Sequence, residues 1–119
     1  MSRRAALAAL ADIAAIAVFV AIGRRNHDEG TAVDGIATVA TPFLIALAVG
    51  WIVARAWKHP MKVDTAFIIW PITVAVGMVL RNLVFDRGTA LPFIIVATLM
   101  IGLFLVGWRL IAACFSPAR

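Results

Sequence analysis

Apolar residues dominate four stretches of this chain, Ala5 to Ile22, Ile36 to Val53, Thr65 to Leu80 and Leu91 to Ala113, and the charged residues collect between them. A helix needs about 20 predominantly apolar residues to cross the hydrocarbon core of a bilayer. The pattern therefore predicts an all-α fold, an integral membrane bundle of four transmembrane helices. Short connections leave no room for an extramembrane domain, so residues 1–119 read as a single unit. Composition agrees: 64% of residues are hydrophobic, 14% are charged and the mean hydropathy is +1.03. A soluble domain of this size could not hide so much apolar surface.

Arg3 and Arg4 before an apolar run imitate a signal peptide. The run is longer than a typical signal core and Asp12 interrupts it, so it is read as a first span. Orientation follows from the basic residues, which resist translocation. Arg3, Arg4, Arg55, Lys58, Lys62, Arg109 and Arg119 lie at one end, and Arg24, Arg25, Arg81 and Arg87 at the other. Both termini are expected in the cytoplasm, with dual insertion as the alternative. The net charge of +5 comes from span ends rather than one folded face. It is assigned to topology and lipid headgroups, with the bilayer as partner and no nucleic acid. Cys114 is the single cysteine, which excludes a disulfide framework and a cysteine metal motif. No cofactor or metal is expected.

Asp12 carries most of the chemical interest. A carboxylate at membrane depth is costly and is usually paired, protonated or functional. Ala5, Ala8, Ala9, Ala15 and Ile16 share its helical face. Small residues let helix backbones approach in lipid, so this face should turn into the bundle. Counting about 1.5 Å per residue from Ile22, Asp12 lies roughly 15 Å deep, level with Thr73 and close to Thr98. Pro71 frees the carbonyl of Phe67 nearby, and Pro42 frees that of Thr38 nearer the surface. By the same count Arg81 and Arg109 are each roughly 12 Å or more away. Asp12 is accordingly expected as a protonated carboxyl donating to hydroxyls and carbonyls.

Trp70, Thr73, Gly77 and Arg81 fall on one face of the third span. The plain reading is a packing face with Arg81 reaching to headgroups; the sharper one makes Arg81 an anion contact at the mouth of a cavity descending to Asp12. Thr98, Gly102 and Arg109 repeat the theme in the fourth span. Trp51, Trp57 and Trp108 lie near span ends, where indole rings favour the interface. The first loop, Gly23-Arg24-Arg25-Asn26-His27-Asp28-Glu29-Gly30, is the most polar stretch. It makes Arg24, Arg25 and His27 loop candidates, although an exposed histidine is more often simply solvated.

Asp28-Glu29-Gly30-Thr31-Ala32 is echoed by Asp86-Arg87-Gly88-Thr89-Ala90, and Val49-Gly50-Trp51 by Val106-Gly107-Trp108. Two tandem helical hairpins related by a pseudo-two-fold along the membrane normal would explain the echo. Pro42-Phe43 and Pro92-Phe93 do not keep the same offset.

The combination of Asp12, Gly23-Arg24-Arg25 with His27, Pro42-Phe43, Gly50-Trp51, Arg55-Ala56-Trp57, Trp70-Pro71 with Thr73, Gly77-Met78 with Arg81, Phe93 and Gly107-Trp108-Arg109 runs nearly end to end. On these residues the chain resembles a family of small bacterial and archaeal membrane proteins catalogued as domain-of-unknown-function family 3054. The resemblance implies a bacterial or archaeal cytoplasmic membrane location and carries no assigned activity. A looser similarity is to small multidrug-resistance exporters, which also have four short spans and an acid in the first. Here the acid is Asp rather than Glu and the surrounding residues differ.

Three classes of function follow. The first is a small proton- or ion-coupled carrier, working as a homo-oligomer, with Asp12 titrating and Thr73, Thr98, Trp70 and Arg81 forming the site. The second is a non-catalytic accessory or assembly subunit docked on a larger membrane-protein partner. An enzyme ranks last, because the chain lacks a nucleophile beside a base, a metal cluster and a phosphate loop.

Overall fold

A computed structural model describes residues 2–26, 33–84 and 91–115. Four α-helices occupy them: α1 (Arg3–Asn26), α2 (Val33–Ala54), α3 (Val63–Leu83) and α4 (Leu91–Cys114). Each is long and apolar enough to cross a membrane, the mark of a membrane protein by length and composition. The long axis is 43 Å, close to the about 40–45 Å of a bilayer with its headgroup layers.

The helices form a ring in which α1 and α3 each pack against α2 and α4. Large apolar side chains on the outside, among them Leu7, Leu10, Ile13, Leu99 and Leu103, face where lipid would lie. Inside are Ile16, Phe19, Phe43, Ile69, Ile101 and Leu105, with the small residues Ala5, Ala8, Ala15, Ala46, Ala66 and Ala97. The alanine face of α1 does turn inward as its spacing predicts, with Ala9 half-buried.

Glycines set two close contacts between α2 and α3. A Cβ on Gly50 of α2 would stand 3.3 Å from the Cγ2 and carbonyl oxygen of Ile69 on α3, and one on Gly77 of α3 would overlap the Phe43 ring of α2. These contacts lie two turns apart on each helix, in the antiparallel register that a short connection imposes. On the next interface Gly102 of α4 leaves the space occupied by the Trp70 indole. The alanine face of α1, Gly77 and Gly102 are thus all used in contacts within the chain.

α2 ends in a Schellman motif. The Ala56 amide donates to the Trp51 carbonyl at 3.0 Å and the Arg55 amide to the Ile52 carbonyl at 3.2 Å. The motif needs a left-handed residue, and Arg55 fills that place with φ 51°. The connection to α3 is then fastened by side chains: Thr65 Oγ1 donates to the His59 carbonyl at 2.7 Å, and Pro60 is buried.

Candidate functional site

Asp12 is fully buried on α1, and its carboxylate accepts four N–H donors. Arg109 of α4 grips it as a fork, Nη1 to Oδ1 at 2.9 Å and Nη2 to Oδ2 at 2.8 Å. Trp108 Nε1 donates to Oδ1 at 2.7 Å and Trp51 Nε1 to Oδ2 at 2.8 Å. In all four bonds Asp12 is the acceptor, whereas the sequence reading expected it to donate to hydroxyls and carbonyls.

Arg109 is equally occupied. Its Nε donates to the Pro60 carbonyl at 2.9 Å and Nη1 also to the Leu105 carbonyl at 3.0 Å, so four of its five N–H groups are used. The guanidinium also lies 4.5 Å from the Trp108 ring centroid, a cation–π distance. Removing two charges from water costs several kcal/mol each, and only good geometry with further hydrogen bonds offsets it. The bidentate fork, two indoles and two carbonyls supply those bonds.

The sequence reading placed Arg109 out of reach of Asp12, and two physical facts reverse that. α1 continues to Asn26, four residues past the expected end. Counted from there Asp12 lies roughly 21 Å in and Arg109, counted from Leu91, roughly 27 Å, leaving about 6 Å. Side chains also lean toward the N-terminus of their own helix. On antiparallel α1 and α4 that tilt carries Asp12 and Arg109 toward each other, and a long guanidinium side chain closes the gap.

The other expected members of the site lie elsewhere. Trp70 Nε1 donates to the Thr98 carbonyl at 2.8 Å, and Thr98 Oγ1 to the Ile94 carbonyl at 2.7 Å. With Phe67, Pro71, Val74 and Ala75 they line an outward groove of about 450 Å³. Phe67 is about half exposed, and its ring lies 6.0 Å from that of Trp70. Thr73 is fully buried, and its hydroxyl has no hydrogen-bond partner. Arg81 lies 4.0 Å above the Phe93 ring centroid, and Phe93 joins Phe19 and Phe43 in a cluster with centroid separations of 5.9–6.3 Å. Those rings occupy the interior where the expected cavity from Arg81 to Asp12 would run.

Arg24 lies against Gly35 at the start of α2. The side chain of Arg25, all of His27 and the two Asp/Gly/Thr/Ala loop echoes fall outside the described residues. Among the described residues no group of three histidine, cysteine, aspartate or glutamate side chains could hold a metal ion.

The tryptophans Trp51 and Trp108 are what sequence reasoning missed. Interface preference seemed to explain them, yet each donates to Asp12. The signal was the repeated Val-Gly-Trp, which sets one indole on α2 and one on α4 at the same end of the bundle. A search of curated proteins and of solved structures finds no match to the chain. The family model described as Protein of unknown function (DUF3054) matches residues 9–112, a stretch that contains Asp12, Trp51, Trp108 and Arg109, and the chain belongs to that family.

Proposed function

We propose that the protein is a non-catalytic accessory subunit of a larger membrane complex, a preformed four-helix unit held by an internal ion pair. The observation that supports this reading is the closed Asp12 network. A carrier that cycles a proton on Asp12 has to release Arg109 and leave a guanidinium buried, at a cost of about 3–5 kcal/mol for breaking such a pair. A structural strut has no such requirement. It fixes α1, α2, α4 and the Pro60 loop relative to one another and leaves the outer faces to lipid and partner.

Carrier activity has one observation in its favour, the groove of about 450 Å³ beside Trp70 and Thr98. It is mainly apolar and opens sideways, so a substrate using it would be apolar and would enter from the membrane. That version does not route a proton through Asp12.

Comparing the protein in its native membranes with the same chain purified alone separates the readings. The accessory reading expects cross-linked native material to migrate as an assembly with other subunits. A homogeneous chain that drives proton-coupled flux in sealed vesicles, with the flux lost in Asp12→Asn, overturns it.

A further inference from the structure

At the end of the bundle that carries both termini, a cavity of about 260 Å³ opens between the start of α1, the Lys58–Lys62 connection and the end of α4. Arg4, Lys58, His59 and Lys62 line it, over a floor of Pro60 and a wall of Met61, Ala112 and Ala113. No acidic residue is among the lining; Asp64, exposed in the first turn of α3, is the nearest acid in sequence. We propose that this cavity binds the phosphate of an anionic glycerophospholipid.

Three features of the site carry the assignment. Three basic side chains, Arg4, Lys58 and Lys62, converge on one concave surface, which spread-out topology determinants have no need to do. The volume suits a headgroup and is below the about 300–1,000 Å³ typical of pockets that enclose a whole drug-sized ligand. The site also adjoins lipid-facing surface: Leu110 and Ile111, immediately before the wall residues, are 50% and 61% exposed, as is Leu7 at 56% one turn from Arg4. A bound phosphate would therefore have room for its acyl chains along α4 and α1, which favours a lipid over a soluble phosphate.

The floor ties this site to the interior. The Pro60 carbonyl accepts from Arg109 Nε, and the neighbouring His59 carbonyl accepts from Thr65 Oγ1. These bonds hold the backbone that presents Lys58, His59 and Lys62. Lipid binding and the Asp12–Arg109 pair thus share one loop, and occupancy should raise the stability of the whole bundle.

The test uses the full chain in neutral detergent, titrated with phosphatidylglycerol, phosphatidylcholine or inorganic phosphate. Bound lipid is read by native mass spectrometry and stability by thermal unfolding. Phosphatidylglycerol is expected to be retained and to raise the melting temperature, whereas Lys58→Gln/Lys62→Gln lowers its affinity roughly tenfold or more. Arg3→Gln/Arg55→Gln removes two charges from the same end outside the cavity and is expected to change binding less than threefold. All four side chains are exposed, so both variants should fold. Equal loss in the two variants, or equal retention of phosphatidylcholine, overturns the site. Saturation by inorganic phosphate at the same concentration as the lipid overturns the assignment to a lipid.

Discussion

Trp51 and Trp108 donate to different oxygens of the same carboxylate, at 2.8 and 2.7 Å, one from α2 and one from α4. With the Arg109 fork between them, each oxygen of Asp12 accepts one indole N–H and one guanidinium N–H. The network joins three helices and, through Arg109 and Pro60, the connection from α2 to α3.

Breaking one side of the pair should cost far more than removing both. Asp12→Asn or Arg109→Met each leaves a buried partner uncompensated, and a loss of about 3–5 kcal/mol is expected. Asp12→Asn/Arg109→Met removes both charges and should recover much of that loss. Reversible unfolding in mixed detergent micelles measures all three. Additive losses in the double variant would show that the two side chains do not act as a pair.

The indoles should contribute through a charged acceptor. Trp51→Phe and Trp108→Phe each delete one hydrogen bond to a carboxylate, worth about 1.5–3 kcal/mol. Because the oxygens belong to one group, the double variant is expected to deviate from additivity by about 0.5 kcal/mol or more. Two of the four tryptophans should also show indole N–H resonances that move in Asp12→Asn. Unmoved resonances at Trp51 and Trp108 would mean that neither donates to Asp12.

Arg55 pays a backbone cost that glycine would not. A non-glycine residue in the left-handed region costs about 1–2 kcal/mol, and Arg55 is exposed at φ 51°. Arg55→Gly should stabilise the protein by up to about 1 kcal/mol, less the greater chain entropy of glycine in the unfolded state. Unfolding free energy reports it directly. A destabilisation would reveal an interaction of the arginine side chain that outweighs the strain.

The glycines should divide by what stands opposite them. Gly102→Ala pushes against the Trp70 indole and threatens its bond to the Thr98 carbonyl; Gly77→Ala pushes against the Phe43 ring. Overpacking of this kind costs about 1–3 kcal/mol. Gly107 has open space around it, so Gly107→Ala should be neutral or favourable by up to about 1 kcal/mol through helix propensity. Similar effects at all three positions would remove close packing as the reason for these glycines.

The four helices were legible because a membrane span depends on local composition, and 18 or more apolar residues cannot be placed otherwise. Asp12's inward face was legible for a similar reason, from the alanines at helical spacing around it. Its partner was not. Whether Arg109 meets Asp12 depends on where α1 stops, on the tilt of side chains in antiparallel neighbours and on a long flexible reach, and each is a tertiary property. An error of four residues at Asn26 was enough to separate the two groups. Thr73 shows the opposite failure: a hydroxyl at the right depth, on the face that turns inward, is buried without a partner because α1 and α3 are diagonal in the ring.

Cys114 offers a built-in test of orientation. It is the single cysteine of the chain and is exposed at the end of α4. Four crossings would put it on the same side as the N-terminus, and the excess of basic residues at that end, which persists when the buried Arg109 is set aside, predicts the cytoplasm for it. A membrane-impermeant maleimide should therefore label Cys114 in inside-out vesicles and leave it unlabelled in right-side-out ones, with Cys114→Ser as the blank. Labelling of half the protein in each preparation would mean dual insertion, since the charge bias is modest and Arg24 and Arg25 oppose it. That result would also place the basic cavity of Arg4, Lys58 and Lys62 on both leaflets, where only an anionic lipid present in both could occupy it.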